Sequence, residues 1–124
     1  MRSDRDELRL SVARGPLARP LILRLMHVGA RRAGLRAARE ADALEAAGDA
    51  LARTRDDLVA DEHEVMIHPR AGGLELHLGA LVPGAAARAA RGGDRGTIGA
   101  ARDVDWHVEH DPAGDRLVVA IDWA

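Results

Sequence analysis

The chain has 124 residues, a formal net charge of −2 and no cysteine. That length buries one core without staples, and the composition excludes disulfides and thiolate metal sites. All 18 basic residues are Arg, and Lys, Phe, Tyr, Asn and Gln are absent, so there is no lysine for a Schiff base or a phosphate loop and no Asn to ligate a metal.

Interspersed charges and only two tryptophans argue against nucleic acid, which wants a basic stripe and stacking platforms. No apolar run approaches the ~20 residues of a membrane span. The opening MRSDRDELRL is charged from its second residue and carries no secretory-signal pattern, so the expectation is a cytoplasmic protein with no membrane partner.

Leu8-Arg9-Leu10-Ser11-Val12 alternates apolar with polar and reads as a first strand. Gly15, Pro16 and Pro20 punctuate the entry to a helix, which begins near Arg19 because proline is tolerated only in a first turn. Two ridges at helical spacing, Leu21–Leu25–Val28 and Ile22–Met26–Gly29, supply its apolar side, and Gly34-Leu35 fits a left-handed cap. A second helix is expected from about Arg39 to Asp57, with Ala43, Leu44, Ala47, Ala50, Leu51, Thr54 and Leu58 as its buried stripe. Gly48 inside it points to close packing there. The acidic run from Asp56 to Glu64 reads as a solvated connection.

Val65 and Ile67 then alternate, and a turn over Arg70-Ala71-Gly72-Gly73 leads to Leu74, Leu76 and Leu78. Pairing Ile67 with Leu76 and Val65 with Leu78 puts every apolar member on one face. The strand gives way to Gly79-Ala80-Leu81-Val82-Pro83-Gly84, followed by an Ala/Arg/Gly-rich lid over 85–95 that is either a short helix or a loop. Thr97 fits the cap of another short helix. Val104, Trp106 and Val108 form a fourth strand, Asp111-Pro112-Ala113-Gly114 a turn, and Leu117, Val119, Ile121 and Trp123 a fifth. Matching Val108 with Leu117 sets Glu109 opposite Arg116. The outcome is one domain spanning 1–124, an α+β two-layer sandwich with a mixed, roughly five-stranded sheet and its helices on one face.

This order of elements resembles the ATP-binding domain shared by histidine kinases and bacterial anti-sigma-factor serine kinases, the GHKL superfamily, with the compact anti-sigma branch nearest in length. The likeness runs from Leu8 through Trp123 and rests on DALEAAGDALAR, LELHLGALVPG, the glycines of GGDRGTIG and the closing hairpin. In that family the second helix carries a Glu and, four residues on, an Asn that ligates Mg²⁺; the matching positions here are Asp49 and Arg53. A guanidinium has no lone pair for a hard cation. The family's Asp-x-Gly-x-Gly loop, whose Asp accepts from the adenine amino group, falls on Ala80, Val82 and Gly84, and a last glycine box survives as Gly96 and Gly99.

The resemblance therefore implies a vestigial nucleotide site (Asp49, Arg53, Ala80, Val82, Gly84, Gly96 and Gly99), with no catalytic residue, no metal ligand and no cofactor. It implies a silent regulatory module that binds a protein partner, a sigma factor or an anti-sigma antagonist, with Arg31, Arg32 and Arg36 as the contact surface to test. Two alternatives stay open. One is an active ATP- and Mg²⁺-dependent serine/threonine protein kinase using Asp49 as base and Arg53 on phosphate. The other is a small-molecule binder reusing a pocket lined by Ala80, Val82, Leu51 and Ile98. Asp49 and Arg53 also fit an ordinary i, i+4 ion pair.

Other chemistry is sparse. Ser3 and Ser11 are the only serines, so no Ser-His-Asp set can be assembled. Glu40, Glu45 and Glu64 have no evident apolar pocket to raise their pKa. His68, His77 and His107 share the outer sheet face with Met66 and read as solvated, and His27 reads as a boundary residue beside a helix stripe. Val118 and Ala120 make a thin apolar patch on that face, which leaves a homodimer open.

Overall fold

Alternation builds the sheet. In the computed structural model, which describes residues 7–70, 72–92 and 104–122, the chain runs β1 (Leu8–Ala13), α1 (Ala18–Arg32), α2 (Ala37–Thr54), β2 (Glu62–Arg70), β3 (Gly73–Leu81), α3 (Ala85–Gly92), β4 (Val104–Asp111) and β5 (Gly114–Asp122). The strands form one five-stranded sheet in the order β1-β2-β3-β5-β4. All four pairings are antiparallel, so the mixed sheet expected from the sequence is corrected to an antiparallel one. The reason is connectivity: both hairpins close tightly, and the second hairpin places β5, not β4, beside β3 and in the opposite sense.

The registers are those the apolar patterns demand. Val65 faces Leu78 and Ile67 faces Leu76 across β2 and β3. Trp106 faces Val119, Val108 faces Leu117 and Glu109 faces Arg116 across β4 and β5. Leu8, Leu10, Val65, Ile67, Leu74, Leu76, Leu78, Leu117, Val119 and Ile121 thereby share one side, where they pack with Ile22, Met26, Ala43, Ala47 and Ala50 of the helices. α1 lies over β1 and β2 and α3 over β4 and β5, with α2 between them touching both. This is the two-layer sandwich expected.

Only one of the two α1 ridges is fully covered. Ile22, Met26 and Gly29 are buried, whereas Leu21 is 45% exposed, because α1 overhangs the edge strand β1. The helix ends in a Schellman motif, with Leu35 N–H on the Ala30 carbonyl at 2.9 Å and Gly34 N–H on the Arg31 carbonyl at 3.1 Å. Gly34 sits at φ 80°, the left-handed region that glycine enters without strain. α2 starts at Ala37, two residues before the span expected, and ends at Thr54, three residues short of it, and its glycine is closely packed: the Arg19 guanidinium lies where a Gly48 side chain would be.

The acidic run is not a free connection. Val59 N–H bonds the Ala80 carbonyl and Val82 N–H the Asp57 carbonyl, both at 2.9 Å, so 57–59 clips onto the end of β3. Residues 62–64 already belong to β2, and alternation turns His63 toward the helices, where it is 4% exposed. The segment before α3 also differs from expectation. Strand β3 continues to Leu81, and its register against β5 shifts between Leu78 and Leu81. That irregularity puts Leu81 in the core and Ala80 on the other side. Of the lid, 85–92 is helix α3; the helix expected at Thr97, the glycines Gly96 and Gly99, and Ile98 and Trp123 lie outside the described residues.

Candidate functional site

Of the residues assigned by resemblance, those within the described residues do not all share one face of the sheet. Asp49 and Arg53 sit one turn apart on α2, and Arg53 Nε donates to Asp49 Oδ1 at 3.1 Å. The Arg53 guanidinium also lies over the Trp106 ring of β4, 5.9 Å from its centroid, at the outer limit for a cation–π contact. The carboxylate expected to act as a base is thus already engaged by the Arg53 guanidinium.

Val82 is half-buried at the margin of the core. Gly84, at φ 88°, opens α3, and its N–H donates to Asp115 Oδ2 at 3.2 Å. The bond from His110 first, and the Gly84 N–H second, hold Asp115 below the ordinary carboxylate range. Ala80 lines a cavity on the helix-free face. The structure therefore brings together Asp49 with Arg53, but not that pair with Ala80.

The helix-free face carries a denser site. Its outward residues form rows across the strands: Arg9, Met66, His77, Val118 and His107 in one, Ser11, Glu64, Gly79, Arg116 and Glu109 in the next. Gly79 leaves a gap in the second row, filled by the Arg116 stem; a Cβ there would meet Arg116 Cγ at 2.7 Å. Around this gap is a cavity of about 460 Å³, lined among others by Ser11, Glu64, His77, Ala80, Asp111 and Arg116. Its size falls within the range of small-molecule pockets, roughly 300–1,000 Å³.

His77 is 5% exposed, not solvated as its place on a polar face suggested. The neighbouring side chains cover it: His68 meets it edge-on with ring centres 4.9 Å apart, and Glu75 lies below. Its Nε2 is 3.0 Å from Glu75 Oε1, and since an ionised carboxylate only accepts, Nε2 carries the proton and Nδ1 presents a lone pair. Burial depresses the His77 pKa more than the Glu75 bond raises it, with His68 adding to the depression, so the ring is neutral. Burial pushes Glu75 up, but the His77 bond and the Arg70 charge outweigh it and leave that carboxyl below its ordinary value.

Two buried polar atoms have no hydrogen-bond partner among the described residues, His77 Nδ1 and Arg116 Nε. One is an acceptor and the other a donor. Arg116 is anchored by Nη2 on Glu109 Oε1 at 3.2 Å, and the same Oε1 stands 4.0 Å from His77 Nδ1, too far to bond. A ligand offering both a donor and an acceptor satisfies both atoms. Among the described residues no bond joins Ser11 to His77, so that ring does not activate the hydroxyl as a nucleophile. Among the described residues no group of three His, Asp or Glu side chains is placed to hold a metal ion. His68, His77 and His107 are accounted for instead by rings and carboxylates: His68 Nε2 on Glu7 at 3.3 Å and His107 Nε2 near Glu109 at 3.9 Å. His27, the boundary residue, pairs with Glu40.

The fold defines an α+β two-layer sandwich. The chain matches no family model and no curated protein. Among the described residues no helix is long and apolar enough to cross a membrane.

Proposed function

We propose that the chain is a regulatory binding module of the histidine-kinase ATPase type that holds a protein partner in bacterial signalling or transcription control and does not transfer phosphate. One observation supports this reading: Arg53, at the position the resemblance matches to a metal-ligating Asn, is closed on Asp49 and over Trp106. A fixed cation there repels Mg²⁺ and offers it no lone pair. Arg31, Arg32 and Arg36 are exposed around the end of α1 and supply a basic surface for an acidic face of a sigma factor or its antagonist.

Titration calorimetry with ATP, with and without Mg²⁺, tests the reading. The expected result is no saturable heat in either condition. A Mg²⁺-dependent affinity of about 1 μM would refute it and favour the active kinase. Charge reversal at Arg31, Arg32 and Arg36 then tests the surface against a sigma factor, and unchanged binding removes α1 as the contact.

A second reading, a small-molecule binder, is favoured by the unpartnered His77 Nδ1 and Arg116 Nε beside the cavity around Gly79. It differs from reuse of a nucleotide pocket, because Ala80 faces away from Asp49 and Arg53. Saturable shifts of the His77 ring resonances during titration with small zwitterions such as free amino acids support it. Unmoved resonances exclude it.

A further inference from the structure

A second cavity, of about 370 Å³, lies on the helix side of the sheet between the start of α1 and the end of α2. Its walls include Arg14, Arg19, Arg55, Asp56, Leu51 and His63. Positive charge predominates. Arg14 is answered by Asp61 at 2.8 Å, but Arg19 and Arg55 have no acidic partner among the described residues. Guanidinium groups also reach carbonyls of α2, Arg19 Nη1 that of Gly48 in mid-helix at 3.4 Å and Arg14 Nη1 that of Arg55 at the C-cap at 3.5 Å. From the other side α1 presents its amino end, with no side-chain cap and no acidic residue in the first turn; Ala18 N–H is taken by the Gly15 carbonyl and Pro20 has none, which leaves Arg19 N–H for an anion. The helix dipole there is equivalent to about half a positive charge.

His63 is the independent observation. It is 4% exposed, forms part of the cavity wall, and makes no hydrogen bond among the described residues. Its ring nitrogens are not sealed from solvent as His77 Nδ1 and Arg116 Nε are, so the cavity is the route by which a partner reaches them. The sheet supplies none, since the ring's neighbours on that face are Val12 and Val65.

We propose that this cavity is a binding site for a small molecule bearing an oxyanion, a phosphate ester or a carboxylate. The oxyanion lies between Arg19, Arg55 and the first turn of α1 and accepts a hydrogen bond from an N–H of the His63 ring. The volume exceeds that of a bare inorganic ion, whose size is a few times the ~30 Å³ of a water molecule, so the remainder takes the body of the ligand against Leu51 and Ala18. Neither ATP nor a protein partner is needed for this site.

The test uses the full chain and follows the His63 ring by NMR during separate titrations with inorganic phosphate, phenyl phosphate and benzoate. Saturation by phenyl phosphate with a dissociation constant of about 1 mM or below, about tenfold tighter than inorganic phosphate, assigns a phosphate ester. Saturation by benzoate alone assigns a carboxylate. In either case Arg55→Ala, a change at an exposed position that leaves the fold intact, weakens binding about tenfold or more by removing a charge-assisted bond. His63→Gln, which replaces the ring by an amide, weakens it again, read from the amide resonances around Arg19. Absence of saturation with all three probes, or saturation indifferent to Arg55→Ala, overturns the proposal.

Discussion

Gly29 sets the height of α1 above the sheet, and its replacement by alanine reports on that packing. A Cβ at Gly29 would lie 2.7 Å from Ile67 Cγ2 and 3.6 Å from Leu8 Cδ1. Ile67 is fully buried and Cγ2 branches directly from its Cβ, so the methyl cannot swing aside without moving β2 or α1. In an exposed helix the substitution would stabilise by about 1 kcal/mol. Against that, forcing an extra methyl into a close-packed contact costs about 1–3 kcal/mol.

The overlap wins, and Gly29→Ala destabilises by about 1 kcal/mol, a fall in Tm of about 4 °C for a chain of this length. Urea unfolding followed by circular dichroism measures it. Ile67→Leu moves the branch from Cβ to Cγ at constant volume and alone costs under about 1.5 kcal/mol. The double variant is therefore more stable than the two single changes predict by sum. A Gly29→Ala protein as stable as the parent, or a strictly additive pair, would show that α1 does not rest on Ile67 as described.

Acid weakens the fold through its buried imidazoles. Burial, then the Arg14 charge, depresses His63 below 6.5, and burial chiefly depresses His77. The unfolded chain therefore takes up protons that the native state refuses, and stability falls as pH drops below 6.5; urea midpoints between about pH 7.5 and 5.5 decline, and a flat profile contradicts the burial of both rings. Arg53→Asn removes a pair whose members are each about one-third exposed, so stability changes by only about 0.5 kcal/mol. It gains no calorimetric affinity for Mg²⁺–ATP, since Ala80 still faces the other side of the sheet; acquired binding would contradict that placement. Gly79→Ala displaces the Arg116 stem and its bond to Glu109, shifting the His77 ring resonances while costing about 1 kcal/mol or less because the arginine can bend away.

Both hairpin registers could be read from sequence because each strand keeps strict alternation and only one slip satisfies all the leucines, valines and isoleucines together. The Schellman cap at Gly34-Leu35 and the close packing at Gly48 were equally local and equally visible. His63 was missed because it lies in an acidic run whose residue types suggest solvent, although the parity counted back from Val65 already turned it inward. The burial of His77 depends on Glu75, His68 and Arg116 folding over it, a non-local arrangement that no spacing encodes. Leu21 is exposed for a similar reason: which ridge of α1 is covered depends on how far the helix overhangs β1.

The register shift between Leu78 and Leu81 has an effect out of proportion to its size. With unbroken alternation, position 80 would look into the helical layer and position 81 away from it; with the shift their directions are exchanged. Removing a single residue from that short span would restore plain alternation with Leu81 still facing the helices and Ala80 still outward, and would take the slack out of the strand beside the hollow. The placement of the 460 Å³ hollow and the loss of any inward group at position 80 are thus two results of the same extra unit of backbone.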